Sequence, residues 1–174
     1  MTRPSVTLRE LNADDQATFA RHLTAVFEGH PAFVARAWLA RPFADLEALH
    51  DALTAALAAA PLDEKLALIA AHPDLVGAAA RAGTLGPESA REQAAAGLGR
   101  LAPDEVATFT QWNTAYRAKF GFPFVICARE NKKEAILAAF PARLAHSRPR
   151  EIETALREIA KIAWLRLVDL VAPE

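Results

Sequence analysis

The sequence predicts an all-α fold, a single-domain multi-helix bundle that carries one short, rigid aromatic loop. Apolar residues recur three and four positions apart through most of the 174 residues, as they do on one face of an α-helix. Proline and glycine divide this pattern into segments of helical length. Only the loop around Val125 has the β-branched and aromatic composition of a strand, and the sequence offers it no partner strand.

Three amphipathic patterns fill the N-terminal part of the chain. The first predicts a helix over residues 13–28, preceded by Asn12 with Asp15 in a box-like cap. Its apolar face consists of Phe19, Leu23, Val26 and Phe27. A short helix over residues 32–40 follows and ends at Arg41-Pro42. A third helix, over residues 45–59, repeats leucine and alanine on one face.

The remaining helices are delimited by proline. Residues 62–72 predict a helix that ends at His72, because the residue before a proline is pushed out of the α region. After a short helix and loop, residues 87–99 predict a helix with Pro87 at its opening. A long helix runs from Pro103 to Phe120, another runs from Asn131 until Pro141 bends or ends it, and the last extends from about Ser147 to Val171.

Composition and charge exclude several classes of function. The net charge is −1 and the sequence pI is about 6.5, so the surplus of basic residues that neutralises nucleic-acid phosphates is missing. No apolar run reaches the roughly 18 residues of a membrane span, and the first residues lack the apolar core of a signal peptide. The single cysteine cannot form an internal disulfide, which fits a reducing compartment. We therefore expect a single cytoplasmic domain.

Metal and nucleotide sites have little support in the sequence. Glu47 and His50 have the Glu-x-x-His spacing of di-iron bundles, but no second such pair occurs. The 7 glycines form no phosphate-cradling loop after a strand, so a nucleotide-binding site has little support. Cys127 is a candidate nucleophile, although a lone cysteine in an apolar run is more often simply buried.

Three polar features are candidates for a functional site. His72, beside the stiff Pro73, has a fixed position and a side chain suited to proton transfer; the alternative is a ring that caps nearby carbonyls. Ser89 and Glu92 have the spacing of a capping box, but Pro87 at the first helical position would move the cap back to Gly86. Ser89, Glu92 and the adjacent Gln93 would then face a pocket.

Arg166 is the third feature, because it falls in the apolar stripe of the last predicted helix. That stripe consists of Leu156, Ile159, Ala163 and Leu170. A buried guanidinium needs a carboxylate or carbonyl partner. The partner is either an internal glutamate or an anionic substrate, unless the side chain extends to water.

Together with the aromatic loop, these features resemble the OHCU (2-oxo-4-hydroxy-4-carboxy-5-ureidoimidazoline) decarboxylase family. The resemblance extends over nearly the whole chain. Four segments carry it, namely HPDLVG (72–77), SAREQAAAGL (89–98), FTQWNTAYRAKFGFPFVICA (109–128) and EIETALREIAKIAWLRL (151–167). The chain departs from the family at residues 30–33, which read HPAF where a Ser-Pro-Trp step is usual, and at residues 145–147, where an asparagine is usual.

The resemblance implies an all-α, usually dimeric enzyme that works without metal or organic cofactor. Its reaction is the loss of CO₂ from the anionic ureidoimidazoline ring to give (S)-allantoin, the last step from urate. His72, Glu92 and Arg166 are the catalytic candidates. The substrate-binding candidates are Pro73, Ser89, Ala90, Arg91, Glu92, Gln93, Phe124, Val125, Ile126, Cys127 and Ala128.

The expected roles follow from this chemistry. His72 would transfer a proton, Glu92 would orient His72 or accept the substrate's hydroxyl proton, and Arg166 would bind the substrate carboxylate or hold Glu92. Ser89 and Gln93 would hold the ureido group, and the loop would offer free backbone groups to the ring. The alternative is an inactive homologue that serves as a helical binding module.

Overall fold

The computed structural model describes residues 6–172, and within that range the protein is predominantly helical. This confirms the predicted all-α class. The α-helices are α1 (Leu8–Ala13), α2 (Gln16–His22), α3 (Pro31–Ala37), α4 (Leu46–Ala58), α5 (Leu62–Ala71), α6 (Ala78–Ala82), α7 (Pro87–Ala95), α8 (Pro103–Phe120), α9 (Lys133–Leu144) and α10 (Arg148–Leu170). Two 3₁₀ turns, Trp38–Ala40 and Ala128–Glu130, and the strands β1 (Val6–Thr7) and β2 (Val171–Ala172) complete the described elements.

The chain divides into two compact units. One comprises the described residues up to Leu68 together with the chain from Ala160 onward, and the other comprises residues 69–159. The single-domain organisation expected from chain length stays a prediction.

The N-terminal part of the first unit differs from the predicted single helix over residues 13–28. The caps divide it: Thr7 and Glu10 form a capping box that starts α1, and the Asp15 side chain accepts the Thr18 N–H to start α2. Asn12 does not cap a helix. Its side-chain amide donates to the Phe43 carbonyl at 2.9 Å and accepts the Phe43 N–H at 2.8 Å.

The apolar faces predicted for the first unit are buried. Phe19, Leu23, Val26 and Phe27 are at most 1% exposed, although turns replace the helix beyond His22. Helix α4 starts at the Asp45 cap and buries Leu49, Leu53 and Leu57. Strands β1 and β2 pair in parallel, with Val6 opposite Val171. The sequence did not predict this pair, because two residues per strand are too few to form a recognisable strand pattern.

The second unit is built around the aromatic segment that follows α8. Gly121 ends α8 in the left-handed conformation, with φ of 79°, which glycine adopts without strain. The Tyr116 ring meets the Phe120 and Phe124 rings at centroid distances of 4.7 and 5.3 Å, and Phe124 stacks on Phe140 at 3.9 Å. These contacts fix the loop, as the sequence predicted for a rigid aromatic segment.

Two of the prolines delimit helices as predicted, whereas Pro141, predicted to bend or end its helix, does not end it. Helix α5 ends at Ala71, directly before His72-Pro73, and α7 begins at Pro87 with Gly86 as its N-cap. Pro141, in contrast, lies inside α9, which continues to Leu144. None of the helices in the described residues combines the length and apolar character of a membrane span.

Candidate functional site

His72 lies where the sequence predicts it, in the first position after α5. Its backbone N–H donates to the Ile69 carbonyl at 3.2 Å, and the residue is only 6% exposed. His72 takes part in further interactions, and among the described residues its buried Nε2 atom accepts or donates no hydrogen bond. A buried polar atom in this state is rare in native proteins and calls for a physical explanation.

The turn that follows His72 is held by the side chain of Gln93. The Val76 N–H donates to Gln93 Oε1 at 3.0 Å, and Gln93 Nε2 donates to the Asp74 carbonyl at 3.3 Å. Gln93 is 6% exposed, so these hydrogen bonds form away from bulk water. They bring the HPDLVG segment and helix α7, two of the predicted site segments, into direct contact.

Helix α7 resolves the alternatives for the Ser89–Gln93 segment. Because the N-cap is Gly86, with no side-chain capping bond, Ser89 and Glu92 do not form a capping box. Ser89 and Gln93 are buried and Glu92 is half-buried. Ala90 and Arg91 are exposed, and Arg91 forms an ion pair with Glu88 at 3.6 Å.

The aromatic loop reaches the same helix. The 3₁₀ turn Ala128–Glu130, at the end of the loop, packs against α7. Burial raises the pKa of the Cys127 thiol to about 11, and the negative charges of Glu130, Glu158 and Glu92 add to this shift. Glu92 of α7 is therefore close enough to Cys127 to interact with it electrostatically. A thiol with this pKa is protonated at neutral pH, which favours a buried cysteine over a nucleophile.

Several backbone groups of the loop are already hydrogen-bonded within the protein. Arg143 Nη1 donates to the Val125 carbonyl at 2.5 Å, and the Cys127 N–H donates to the Glu158 carboxylate at 2.9 Å. The Asn131 side chain donates to the Cys127 carbonyl at 2.9 Å. The expectation that the loop offers free backbone groups is therefore wrong for the Val125 carbonyl and for the N–H and carbonyl of Cys127, which have internal partners. Phe124 and Ala128 are also buried, and Ile126 is half-buried.

A buried ionic network beneath the loop was missed by sequence reasoning. Glu151 is fully buried and accepts hydrogen bonds from the Tyr116 hydroxyl and Arg143 Nε at 2.5 Å, while its other oxygen lies 2.8 Å from His146 Nδ1. The Arg143 guanidinium also lies 4.2 Å from the centroid of the Phe124 ring. Burial and the Glu151 hydrogen bond raise the pKa of Tyr116 far above its usual value, so this phenol is a permanent donor.

Arg166 belongs to the first unit and has an internal carboxylate partner there. Its Nη2 donates to Glu28 Oε1 at 2.6 Å and its Nη1 donates to the Ala25 carbonyl at 2.9 Å. Arg166 is 5% exposed, which confirms its predicted place in the buried stripe of α10. The structure thus supplies the internal glutamate that the sequence analysis gave as one alternative.

The Glu-x-x-His pair of the first unit has a structural explanation. His50 Nε2 lies 2.8 Å from the Ala160 carbonyl, and the ring packs edge-on against Trp164 at a centroid distance of 5.4 Å. In the described part of the chain, no group of three histidine, cysteine, aspartate or glutamate side chains has the geometry to hold a metal ion. The first unit also has an apolar surface groove, lined by Arg36, Leu39, Pro61 and several alanines, to which no predicted site residue contributes.

Comparison with known proteins identifies one family. A model of the OHCU decarboxylase family matches residues 12–168. The 2-oxo-4-hydroxy-4-carboxy-5-ureidoimidazoline decarboxylase of Halalkalicoccus jeotgali is 38% identical over 99% of this chain and 95% of its own length. The protein of the same name from Mus musculus is 37% identical over 93% of this chain and 91% of its own.

A solved structure has the same fold. The crystal structure of (S)-allantoin synthase superimposes with a TM-score of 0.72 at 28% sequence identity and covers 96% of this chain. The match spans only 54% of that longer protein.

We expect Glu151→Gln to lower the free energy of unfolding by about 3–5 kcal/mol, because it leaves the buried Arg143 guanidinium without a compensating charge. Urea unfolding followed by circular dichroism measures this loss. Glu153→Gln, at an exposed position of the same helix, is the matched control and should change stability by less than about 0.5 kcal/mol. Equal, small losses in both variants would show that the network does not stabilise the fold.

We expect the Cys127 thiol to resist alkylation by iodoacetamide at pH 8 in the folded protein and to react readily in urea. The folded pKa of about 11 exceeds the value of about 8.5 of an exposed cysteine, so the native state holds the proton more tightly. The stability contributed by this group is complete below about pH 8.5 and is lost as the pH rises through 11. Mass spectrometry measures the labelling, and equal rates with and without urea at pH 8 would refute the assignment.

Proposed function

Because the chain belongs to the OHCU decarboxylase family, we propose that it converts 2-oxo-4-hydroxy-4-carboxy-5-ureidoimidazoline to (S)-allantoin in urate degradation. The observation that carries the proposal is the family match over residues 12–168, together with relatives that align over nearly their whole length. The geometry adds support, since three of the segments that carry the resemblance meet around α7.

The reaction makes a specific electrostatic demand on the protein. Loss of CO₂ leaves an electron pair on the ring carbon that carried the carboxylate, and this pair delocalises toward the neighbouring ring carbonyl as an enolate. A proton must then be added to one face of that carbon. Only interactions that are stronger in the transition state than in the bound substrate accelerate the step, so hydrogen-bond donors must face the developing charge.

We assign the proton transfer to His72. A histidine titrates near neutral pH, and its position after α5 is fixed by Pro73 and by the clamped turn. Glu92, half-buried on α7, would orient the imidazole or accept the proton of the substrate hydroxyl. His72 and Glu92 both belong to the second unit. Gln93 connects α7, which carries Glu92, to the turn that follows His72.

Substrate contacts are assigned to the surrounding segments. Ser89 and Gln93 would hold the ureido group, and the exposed Ala90 and Arg91 complete the segment that the resemblance implicates. Pro73 and the loop residues Phe124, Val125, Ile126, Cys127 and Ala128 would form the remaining wall. The internal bonds to Val125 and Cys127 hold this wall in place, and a rigid wall would fix the position of a bound ring.

The predicted binding of the substrate carboxylate by Arg166 is a hypothesis separate from the roles of His72 and Glu92. Its guanidinium has five N–H donors, and the bonds to Ala25 and Glu28 orient it. A homodimer, a cytoplasmic location and a cofactor-independent reaction also stay predictions from the sequence. The second candidate function, a binding module without activity, is distinguished by the assay that follows.

The proposal is tested by generating the ureidoimidazoline freshly from urate with the two upstream enzymes and following circular dichroism. Spontaneous decay gives racemic allantoin, whereas the enzyme gives one enantiomer. We expect an optical signal that grows with protein concentration. An unchanged signal would refute the decarboxylase activity and favour the binding module.

We expect His72→Asn to lower kcat by about 10²–10⁴-fold, the usual contribution of a positioned proton-transfer group. The same dichroism assay measures the loss, and far-UV spectra check that the helices are retained. His22→Asn is the matched control, because His22 is an exposed histidine that pairs with Asp14. Turnover of His72→Asn close to that of the unsubstituted protein would remove His72 from the mechanism.

We expect Arg166→Ala to lower kcat/KM by about 10²–10³-fold, because the proposed role of its guanidinium is to bind the substrate carboxylate and removal of one charge-stabilising donor has an effect of this size. Arg36→Ala is the control, since Arg36 is an arginine of the same unit that forms an exposed ion pair with Glu64 at 2.6 Å. Arg166→Ala with unchanged kinetics and lowered thermal stability would restrict Arg166 to pairing with Glu28.

A further inference from the structure

We propose that Asn113 is a positioning residue for His72, acting through the turn of residues 73–77. Asn113 lies on α8 and is 7% exposed, and its Nδ2 donates to the Leu75 carbonyl at 2.8 Å. The inference rests on the proposed function, in which His72 transfers the proton. Asn113 itself is a support for the backbone and has no assigned contact with the substrate.

The turn has a conformation that its own sequence does not favour. Val76 has a φ of 55°, which is uncommon for any residue with a side chain and most costly for a β-branched one. At Gly77 an added Cβ would lie 2.8 Å from the Asp74 Cβ, so the chain doubles back tightly. Backbone in such a conformation persists only where surrounding groups hold it.

Three side chains from two helices supply that restraint. Gln93 of α7 binds the Asp74 carbonyl and the Val76 N–H, Asn113 binds the Leu75 carbonyl, and Arg117 Nε lies 3.0 Å from both oxygens of the Asp74 carboxylate. Arg117 is 46% exposed in its side chain, so its ion pair is screened by solvent. Asn113 and Gln93 form the buried part of the clamp.

The hydrogen bonding of Asn113 indicates that this residue holds the turn through its amide donor and does not merely fill space in the core. With Nδ2 directed at Leu75, the Oδ1 atom is buried and has no hydrogen-bond partner among the residues that the structure describes. An unsatisfied buried oxygen lowers stability, and an apolar side chain of the same size would avoid it. An apolar residue at this position could not replace the hydrogen bond that Asn113 Nδ2 donates to the Leu75 carbonyl.

The consequence for His72 follows from its proximity along the chain. Leu75 is three residues from His72, and the intervening Pro73 has a fixed φ that transmits a shift of the turn to the imidazole. A displacement of about 1 Å in a reacting group can lower a rate by about 10²-fold. Losing the Asn113 bond should therefore reduce proton transfer more than it reduces substrate affinity.

The test compares Asn113→Ala and Asn113→Leu with Asn12→Ala. Asn12 is a matched control, because it clamps the Phe43 backbone in the first unit by the same kind of amide bonds. Kinetics are measured below the onset of thermal unfolding, so that all variants are folded. We expect both Asn113 variants to lose about 10–100-fold in kcat with a change in KM below about threefold, and Asn12→Ala to keep the original kcat.

A second measurement separates this inference from the proposed function. Long-range ¹H–¹⁵N spectra of the imidazoles, with the His72 signals identified by their loss in His72→Asn, report ring position and pKa without any substrate. We expect the His72 signals and titration to shift in both Asn113 variants and to stay in place in Asn12→Ala. If the protein lacks decarboxylase activity but these shifts occur, the function is refuted and the positioning role stands.

Unchanged His72 signals in a folded Asn113 variant would overturn the inference, as would an unchanged kcat in an active enzyme. If Asn113→Ala does not fold, Asn113→Leu, which fills the same space without a donor, carries the test. If neither folds, Asn113→Ser takes their place, because its hydroxyl is one bond closer to the backbone than Nδ2 and cannot span the same distance to the Leu75 carbonyl; it must show the same displacement of the His72 signals.

Discussion

The hydrogen bonds of the Gln93 side-chain amide are the interaction on which the candidate site depends. They satisfy a carbonyl and an N–H of the strained turn after His72 and join that turn to α7. Without them the turn would have no buried support from that helix, and the positive φ of Val76 would be held by fewer restraints. Because the same helix carries Ser89 and Glu92, the Gln93 amide fixes these two side chains relative to His72.

Helix α8 supports the site from one face, because Tyr116 and Arg117 lie three and four positions after Asn113. Asn113 and Arg117 hold the turn of residues 73–77, while Tyr116 belongs to the buried network of Glu151 and Arg143 that fixes the aromatic loop. A buried ion pair of this kind adds little net stability over an apolar pair, yet it is costly to break, so its effect is to specify one conformation. The rigidity of the loop follows from this network and from the stacked phenylalanines.

The sequence predicts the helices well where proline or glycine marks an end, as at His72-Pro73 and Pro87, because these residues act locally on the backbone. It fails where a side chain prefers a distant partner, as Asn12 does with Phe43. The Arg143–Glu151 pair and the positive φ of Val76 left no signal, because both arise only when separate helices pack. The resemblance names the candidate segments and Gln93, but not Asn113 or Arg143, which hold two of those segments.

The central claim is that residues 72–77, 89–93 and 124–128 surround one substrate. Titration of ¹⁵N-labelled protein with (S)-allantoin, the proposed product, tests it most directly by the backbone amide shifts that result. The account predicts shifts concentrated in these three segments, with the imidazole of His72 among the affected groups. Shifts confined to the groove lined by Arg36, Leu39 and Pro61, or spread evenly over the chain, would contradict it.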